Sequence, residues 1–286
     1  MFNSAHSRLS RHAAQIVAIA ALFLNGAPPA AAAEASPWDD GFHSGVRLIA
    51  AAARQDGGKP VLRAGIEFRL DRGWKTYWRY PGDSGVPPRF DFARSENAKA
   101  ITVRWPAPHR FSDDSGQSVG YKDHLVLPLA VEPKDASRPV TLRLALDYAV
   151  CEKLCVPADG KAELVLAGSP TSHEAALAAA ERRVPARRML GEGADVAIRA
   201  VTRETPERIV VDVAAQGDAP VDLFAEGPTA EWALPLPEPV AGAPAGLHRF
   251  AVTLDGLPPG AKAAGAELTL TAVAGEAAIE VIYRLD

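Results

Sequence analysis

The stretch Cys151-Glu152-Lys153-Leu154-Cys155 holds both cysteines of the chain. In an extended strand, at about 3.3 Å per residue, the two would lie about 13 Å apart. A disulfide needs their Cα atoms within about 7 Å. If they pair, the strand leading to Cys151 must therefore turn at or just after it, and Pro157 and Asp159-Gly160 fit a turn before the next strand. A five-residue ring is a weak staple, contributing about 2 kcal/mol through loop entropy. A small ring at a strand end is strained and reachable, which favours exchange with another thiol. Lys153 would stabilise a nearby thiolate, and Glu152 would oppose it. Three readings stay open at this point: redox exchange, a static bond that fixes one turn, and a metal site. The metal reading is the weakest. The pair supplies two ligands with no third adjacent in sequence, and Met189, the one methionine past the N-terminal start, does not make the thioether set of a soft Cu(I) carrier.

Other polar residues offer less. His109 and His124 flank the segment from Asp113 to Tyr121 and are candidates to approach the cysteines, against the ordinary reading of surface-loop histidines. Asp113 and Asp114 are paired acids of a type that can do acid–base work, but in a Ser/Gly loop a solvated turn is the better reading. Ser112 and Ser115 have no demonstrable His/Asp arrangement. No P-loop, dinucleotide fingerprint or zincin motif occurs, and no cofactor is expected. The aromatic cluster Trp74, Tyr77, Trp78 and Tyr80 is dense. On a strand, Trp74 and Trp78 share a face with Tyr77 opposite. Stacking on carbohydrate or peptide is one reading; core and loop packing is preferred, because aromatics dominate core energetics.

These residues sit in a chain of strands. Alternation of apolar and polar residues marks Val61–Leu70, Ile101 to Trp105, Leu125 to Val131 and Leu142 to Tyr148, the last running almost into Cys151. A short run follows at Leu164 and Leu166. Pro128 inside its run predicts an edge strand or a bulge. Turns are expected at Asp71-Arg72-Gly73, Pro81-Gly82-Asp83, Asp113 to Gly116 and Asp159-Gly160. From Gly168 to Leu190 the period breaks. Thr171 and Glu174 are spaced as a capping box before a helix over Ala175–Arg183, which Pro185 ends. Period two resumes over Val196–Thr202, Arg208–Ala214, Val221–Ala225, Leu247–Leu254, Leu268–Val273 and Ala278–Leu285, interrupted by a Pro-rich stretch from Pro235 to Pro244. The fold class expected is all-β: two immunoglobulin-like β-sandwich domains joined by a short helix. The boundaries are 36–168 for the first domain, 169–190 for the helical linker and 191–286 for the second.

Composition agrees with folded domains and narrows the partners. The 286 residues are 48% hydrophobic and 23% charged, with 24 Pro and 23 Gly, too apolar for a disordered chain. The formal net charge of -4 gives no electrostatic case for nucleic acid. Residues 1–35 read as a secretion signal: Arg8 and Arg11, an apolar run from Ala13 to Leu24, then small residues with cleavage after Ala33 or Ala35. The run is too short to span a bilayer, which takes about 20 apolar residues, and no later stretch qualifies. A secreted mature chain without a membrane span is expected, in a compartment where disulfides form.

Four segments together resemble a known family. They are Gly73-Trp74-Lys75-Thr76-Tyr77-Trp78, Gly116-Gln117-Ser118-Val119-Gly120-Tyr121-Lys122-Asp123-His124-Leu125, Leu127-Pro128-Leu129, and Asp147-Tyr148-Ala149-Val150-Cys151 through Cys155-Val156-Pro157. In order and spacing they resemble the periplasmic N-terminal domain of the thiol:disulfide interchange protein DsbD, with a closer likeness to its suppressor-of-copper-sensitivity (Scs) relatives, over about Trp38 to Ala167. The resemblance implies an immunoglobulin-like sandwich in the bacterial periplasm with one redox-active pair. Cys155 would be the exchange cysteine that forms mixed disulfides, and Cys151 the resolving one. It implies a separate membrane thiol-electron donor and periplasmic thiol/disulfide proteins as partners, since the chain has no C-x-x-C. Two features depart from the pattern. Three residues separate the cysteines instead of five, and a gapless match puts Asp114 where the family has a shielding aromatic, with Phe111 close by. Two other readings accompany this one: a non-catalytic adaptor with a static disulfide, and a copper-tolerance protein.

Overall fold

Strands form wherever the period of two runs. The computed structural model describes Met1 and residues 33–82, 85–113 and 116–286; the expected secretion signal lies almost wholly outside the described residues, as do Asp83, Asp114 and Ser115. The first part of the chain forms β1 (Asp39–Gly41), β2 (Ser44–Asp56), β3 (Lys59–Leu70), β4 (Lys75–Gly82), β5 (Arg89–Asp91), β6 (Ala98–Val103), β7 (His109–Asp113), β8 (Gly116–Lys122), β9 (His124–Pro133), β10 (Val140–Cys151) and β11 (Cys155–Leu166). Helix α1 (Glu174–Arg182) follows. The remainder forms β12 (Ala186–Arg187), β13 (Val196–Thr205), β14 (Arg208–Ala215), β15 (Val221–Glu226), β16 (Glu238–Pro239), β17 (His248–Thr253), β18 (Glu267–Ala274) and β19 (Ala277–Arg284).

The architecture is all-β and immunoglobulin-like. One sheet has the order β1-β2-β3-β9-β6, and it faces a second ordered β11-β10-β4-β8-β7, with β5 added on β10. Inward residues of both, among them Leu48, Ile66, Phe68, Leu127, Leu142 and Tyr148, make one core. Two four-stranded sheets, β12-β19-β18-β15 and β13-β14-β17-β16, enclose a second core around Ile198, Val211, Leu223, Val252 and Leu270. Phe224, Leu236 and Val273 belong to the first core although they lie in the C-terminal part of the chain. The two pairs of sheets therefore share buried apolar surface.

Three local expectations are corrected. First, Asp159-Gly160 is not a turn: both residues lie within β11, opposite Asp147 and Leu146 of β10. Gly160 is buried, and a Cβ there would stand 3.5 Å from Val46. Pro157 is tolerated because β11 is an edge strand. The Lys161 N–H points away from β10, to the Asp39 carboxylate, so the missing N–H of Pro157, four residues earlier, would also have pointed outward. Second, Pro128 is on neither an edge nor a bulge but in β9, between β3 and β6. Its carbonyl accepts from the Arg104 N–H, just past the last residue of β6. The nitrogen of a strand residue shares the side of its carbonyl, so the absent donor falls one position past the last β6–β9 rung, Val103↔Leu129, where the ladder has ended. Third, the capping box does not close. The Thr171 hydroxyl accepts from the His173 N–H and donates to the Ala50 carbonyl. Helix α1 starts at Glu174 behind His173, which makes no side-chain cap bond. The Glu174 carboxylate keeps a weak bond to the Thr171 backbone but is held mainly by the Ala52 N–H and Arg63, tying the helix to the first sheet.

Candidate functional site

The β10–β11 hairpin presents the two cysteines. Its ladder runs unbroken from Val140↔Leu166 to Cys151↔Cys155, and Glu152, Lys153 and Leu154 make the turn. A three-residue loop follows from this register: Cys151 and Cys155 occupy the last rung on one face of the sheet. Their Cα atoms are 4.2 Å apart and their sulfurs are joined in a disulfide. The turn that pairing requires thus comes directly after Cys151.

The two sulfurs live in different surroundings. Cys151 is 2% exposed and clusters with Tyr77 and Ala149, whereas Cys155 is exposed, like the turn residues Glu152, Lys153 and Leu154. Leu154 is 74% exposed at the hairpin tip. The inner sulfur is sealed by the neighbouring strand β4, which pairs Lys75 with Cys151 and Thr76 with Val150. The Thr76 hydroxyl donates to the Ala149 carbonyl at 3.0 Å and pins this short pairing.

Tyr77 is the residue at the sulfurs that sequence reading assigned to packing. Its hydroxyl donates toward Cys151 Sγ at 2.8 Å and lies 3.0 Å from Cys155 Sγ. The alternation of β4 explains the split of the aromatic cluster. Trp78 points inward and is fully buried in the core; Tyr77 points to the opposite face, which register shares with Cys151 and Ala149. Trp74 stacks on His43, with centroids 4.2 Å apart. The odd–even argument had separated Tyr77 from the two tryptophans, and the missing signal was the β4–β10 register. Gly85 closes over the tyrosine: a Cβ there would stand 2.7 Å from Tyr77 Cδ1.

The same face carries two cations beside Tyr77. Lys75 and Lys122 are directly paired across β4 and β8. Lys75 is 5% exposed, and its Nζ donates to Ser118 Oγ at 3.0 Å. The ammonium groups of Lys122 and Lys75 lie 4.5 and 5.8 Å from the centroid of the Phe111 ring. Phe111 therefore covers lysines, and the aromatic in contact with the sulfurs is Tyr77. Gly120 stands between these groups opposite Tyr77.

The histidines are engaged elsewhere. His109 Nε2 lies 3.2 Å from an Arg183 nitrogen; burial, followed by the Arg183 charge, lowers its pKa and favours the neutral ring. His124 Nε2 meets Glu67 Oε1 at 2.7 Å. Ser112 is an exposed residue of β7 opposite Gln117. No group of three or more His, Cys, Asp or Glu side chains suited to a metal ion occurs among the described residues. No helix among them is long and apolar enough to cross a membrane.

Comparison with known proteins falls on the same part of the chain. Residues 50–167, which include both cysteines and Tyr77, match the family model described as thiol:disulfide interchange protein DsbD, N-terminal. Among solved structures, the chain is similar to the N-terminal periplasmic domain of ScsB from Proteus mirabilis. The likeness covers 88% of this chain and 98% of that one, with a TM-score of 0.68 and 20% sequence identity. At that identity it establishes the fold. No curated protein matches the chain in sequence.

Proposed function

We propose that the DsbD N-terminal-like domain formed by residues 50–167 is a periplasmic thiol–disulfide interchange module that relays electrons through a reversible Cys151–Cys155 disulfide. The observation that carries this reading is the unequal exposure of two bonded sulfurs, Cys151 sealed and Cys155 open. Under this reading an incoming group attacks the exposed Cys155, and Cys151 leaves into its buried site.

The chemistry balances as two successive displacements. In the reduced protein the Cys155 thiolate attacks one sulfur of a partner's disulfide. A mixed disulfide forms, and the partner's other sulfur leaves as a thiolate that takes up a proton. The Cys151 thiolate then attacks Cys155 Sγ, re-forming the ring and releasing the partner's second thiol. Two electrons and two protons have passed to the partner. The reverse sequence, begun by a donor thiolate attacking Cys155, reloads the pair. Tyr77 is placed to donate a hydrogen bond to the Cys151 sulfur when it carries charge, and such bonds to ionised acceptors are the strong ones. The partners under this reading are a membrane thiol-electron donor on one side and periplasmic thiol/disulfide proteins on the other.

The reduction potential decides between relay and staple. The protein is equilibrated in graded glutathione or dithiothreitol buffers and its free thiols are counted by alkylation. A value within roughly −180 to −270 mV, the span of exchange-active proteins, supports the relay. A value below about −300 mV, where structural disulfides lie, overturns it in favour of a static closure of the three-residue hairpin loop.

A further inference from the structure

Strand β4 reaches two places at once. Near its start, Tyr77 touches both sulfurs. The three residues that follow are all held by the C-terminal part of the chain. The Trp78 ring packs against Phe224 with centroids 5.5 Å apart. The Arg79 guanidinium binds Glu226 of β15 through two nitrogens, at 2.8 and 2.7 Å, and also Glu280 of β19 at 2.7 Å. The Tyr80 hydroxyl donates to the Leu234 carbonyl. Arg79 also lies over the Trp78 ring, 4.6 Å from its centroid.

These contacts differ in kind. Trp78 would hold β4 in any core, but the Arg79 fork fixes both the height and the angle of the strand, because a planar guanidinium spanning two carboxylates tolerates little displacement. Glu280 is 8% exposed and Arg79 is partly buried, so breaking the pair strands charge away from water. By contrast, β4 meets β10 over only two residue pairs, Val150↔Thr76 and Cys151↔Lys75. On its other side β8 pairs Tyr77 with Gly120, but the register breaks beyond Tyr77, so the stretch from Trp78 to Tyr80 that continues the strand is held by the C-terminal sheets.

We infer that the C-terminal pair of sheets is a clamp on β4 that sets the Tyr77 hydroxyl against the Cys151–Cys155 sulfurs, with Arg79 as a positioning residue for their redox chemistry. This rests on the exchange reading for its biological use, but the coupling itself is a property of any reducible disulfide. A hydroxyl bond is stronger to a thiolate than to a disulfide sulfur, so a well-placed Tyr77 favours the reduced form. Loosening the clamp makes the pair harder to reduce.

The experiment measures the equilibrium constant of the full chain with dithiothreitol and titrates the thiolate by its ultraviolet absorbance. Tyr77→Phe shifts the constant toward the disulfide by about tenfold, which is about 30 mV for a two-electron couple. Arg79→Lys keeps the charge but loses the fork; it shifts the constant the same way, by about threefold, and raises the thiolate pKa. Added to Tyr77→Phe, it shifts the constant no further, because the route through Tyr77 is already cut. The control is Arg110→Gln, which breaks the 2.7 Å ion pair between β7 and Asp222 of β15. Among the described residues that pair joins the same sheets with no hydrogen bond or ion pair to β4, touching the clamp only through the Phe224 ring at 5.7 Å, and its loss leaves the constant unchanged. The inference is overturned if Arg79→Lys has no effect, if its effect persists in the Tyr77→Phe background, or if Arg110→Gln does as much. Should Arg79→Lys not fold, Glu280→Gln, which retains the Glu226 pair, is read by the same criteria. A wild-type potential below about −300 mV would defeat the relay and leave this coupling measurable, so the two failures are separate.

Discussion

Cys151 and Cys155 face each other across the last rung of one hairpin, yet Cys151 is 2% exposed and Cys155 is exposed. Direct pairing on an ordinary ladder would treat the two alike. The difference comes from what lies beside each strand: β10 is flanked by β4 and the Tyr77 ring, whereas β11 is the edge of its sheet.

This asymmetry assigns the two sulfurs different fates under exchange. Cys151→Ser leaves the reachable thiol without its resolving partner and accumulates mixed disulfides, visible as higher bands on non-reducing gels. Cys155→Ser leaves only a covered thiol and accumulates none. Equal trapping by the two variants would defeat the role assignment, whatever the potential of the pair.

Gly120 offers a steric test of the sheet that carries Tyr77. A Cβ at this position would stand 2.0 Å from the Thr76 carbonyl oxygen and 3.0 Å from Tyr77 Cα. Both are backbone atoms, so no rotamer change relieves the overlap, and β8 must move off β4. Gly120→Ala is expected to cost about 2 kcal/mol or more, in the range of core overpacking. The measurement is urea unfolding of the oxidised protein. A loss below about 0.5 kcal/mol, the scale of neutral surface changes, would mean that the two strands are less closely apposed than described.

Much of this site was legible in the sequence, for a physical reason. The strand into Cys151 has a clean period of two, and pairing of the two cysteines, if it occurs, requires a turn at or just after Cys151, which is where the hairpin loop lies. The turn's position was less legible. Pro157, Asp159 and Gly160 have turn chemistry, but they act as an edge-strand proline, an exposed face residue and a glycine packed against Val46. Turn propensity yields to register when an edge strand tolerates the proline. Tyr77 was placed on the correct side of β4 by alternation alone, but nothing local says which strand lies beside it. The clamp from Glu226 and Glu280 joins positions 147 and 201 residues away from Arg79, and no period or motif encodes such a contact.

Glu67 gives the chain an acid-side dependence. Burial raises its pKa, but hydrogen bonds from His124 and Arg47, and then their charges, outweigh that and hold it at about 2, below its ordinary value of 4.5. A carboxyl depressed on folding stabilises the protein above its unfolded pKa, and the contribution is lost as pH falls through the folded value. The window is therefore from about pH 4.5 down to about pH 2, with roughly 2–3 kcal/mol at stake for so sheltered a group. Denaturation midpoints of wild type should fall across this window, and those of Glu67→Gln should fall less. Parallel curves would mean that the Arg47 and His124 contacts do not persist in solution.

Helix α1 carries the last prediction, because it fixes how the chain leaves the first pair of sheets. Leu177 is fully buried among Ile49, Ala51 and Val126 on the outer face of the β2-β3-β9 sheet. It can enter because Gly65 lies beneath it: a Cβ there would stand 3.1 Å from Leu177 Cδ1. Arg63 holds the helix from the same strand through Glu174 at 2.9 Å and Glu181 at 2.8 Å. Just past the helix, the Arg183 carbonyl accepts from the Ala107 N–H. Leu177→Ala should cost about 2–4 kcal/mol, as for other fully buried leucines. Because the ion pairs keep the helix in place, the urea midpoint should drop while the slope stays unchanged. A reduced slope would mean that the helix detaches as a unit, and a loss below about 1 kcal/mol would mean that its apolar face contributes little to holding it.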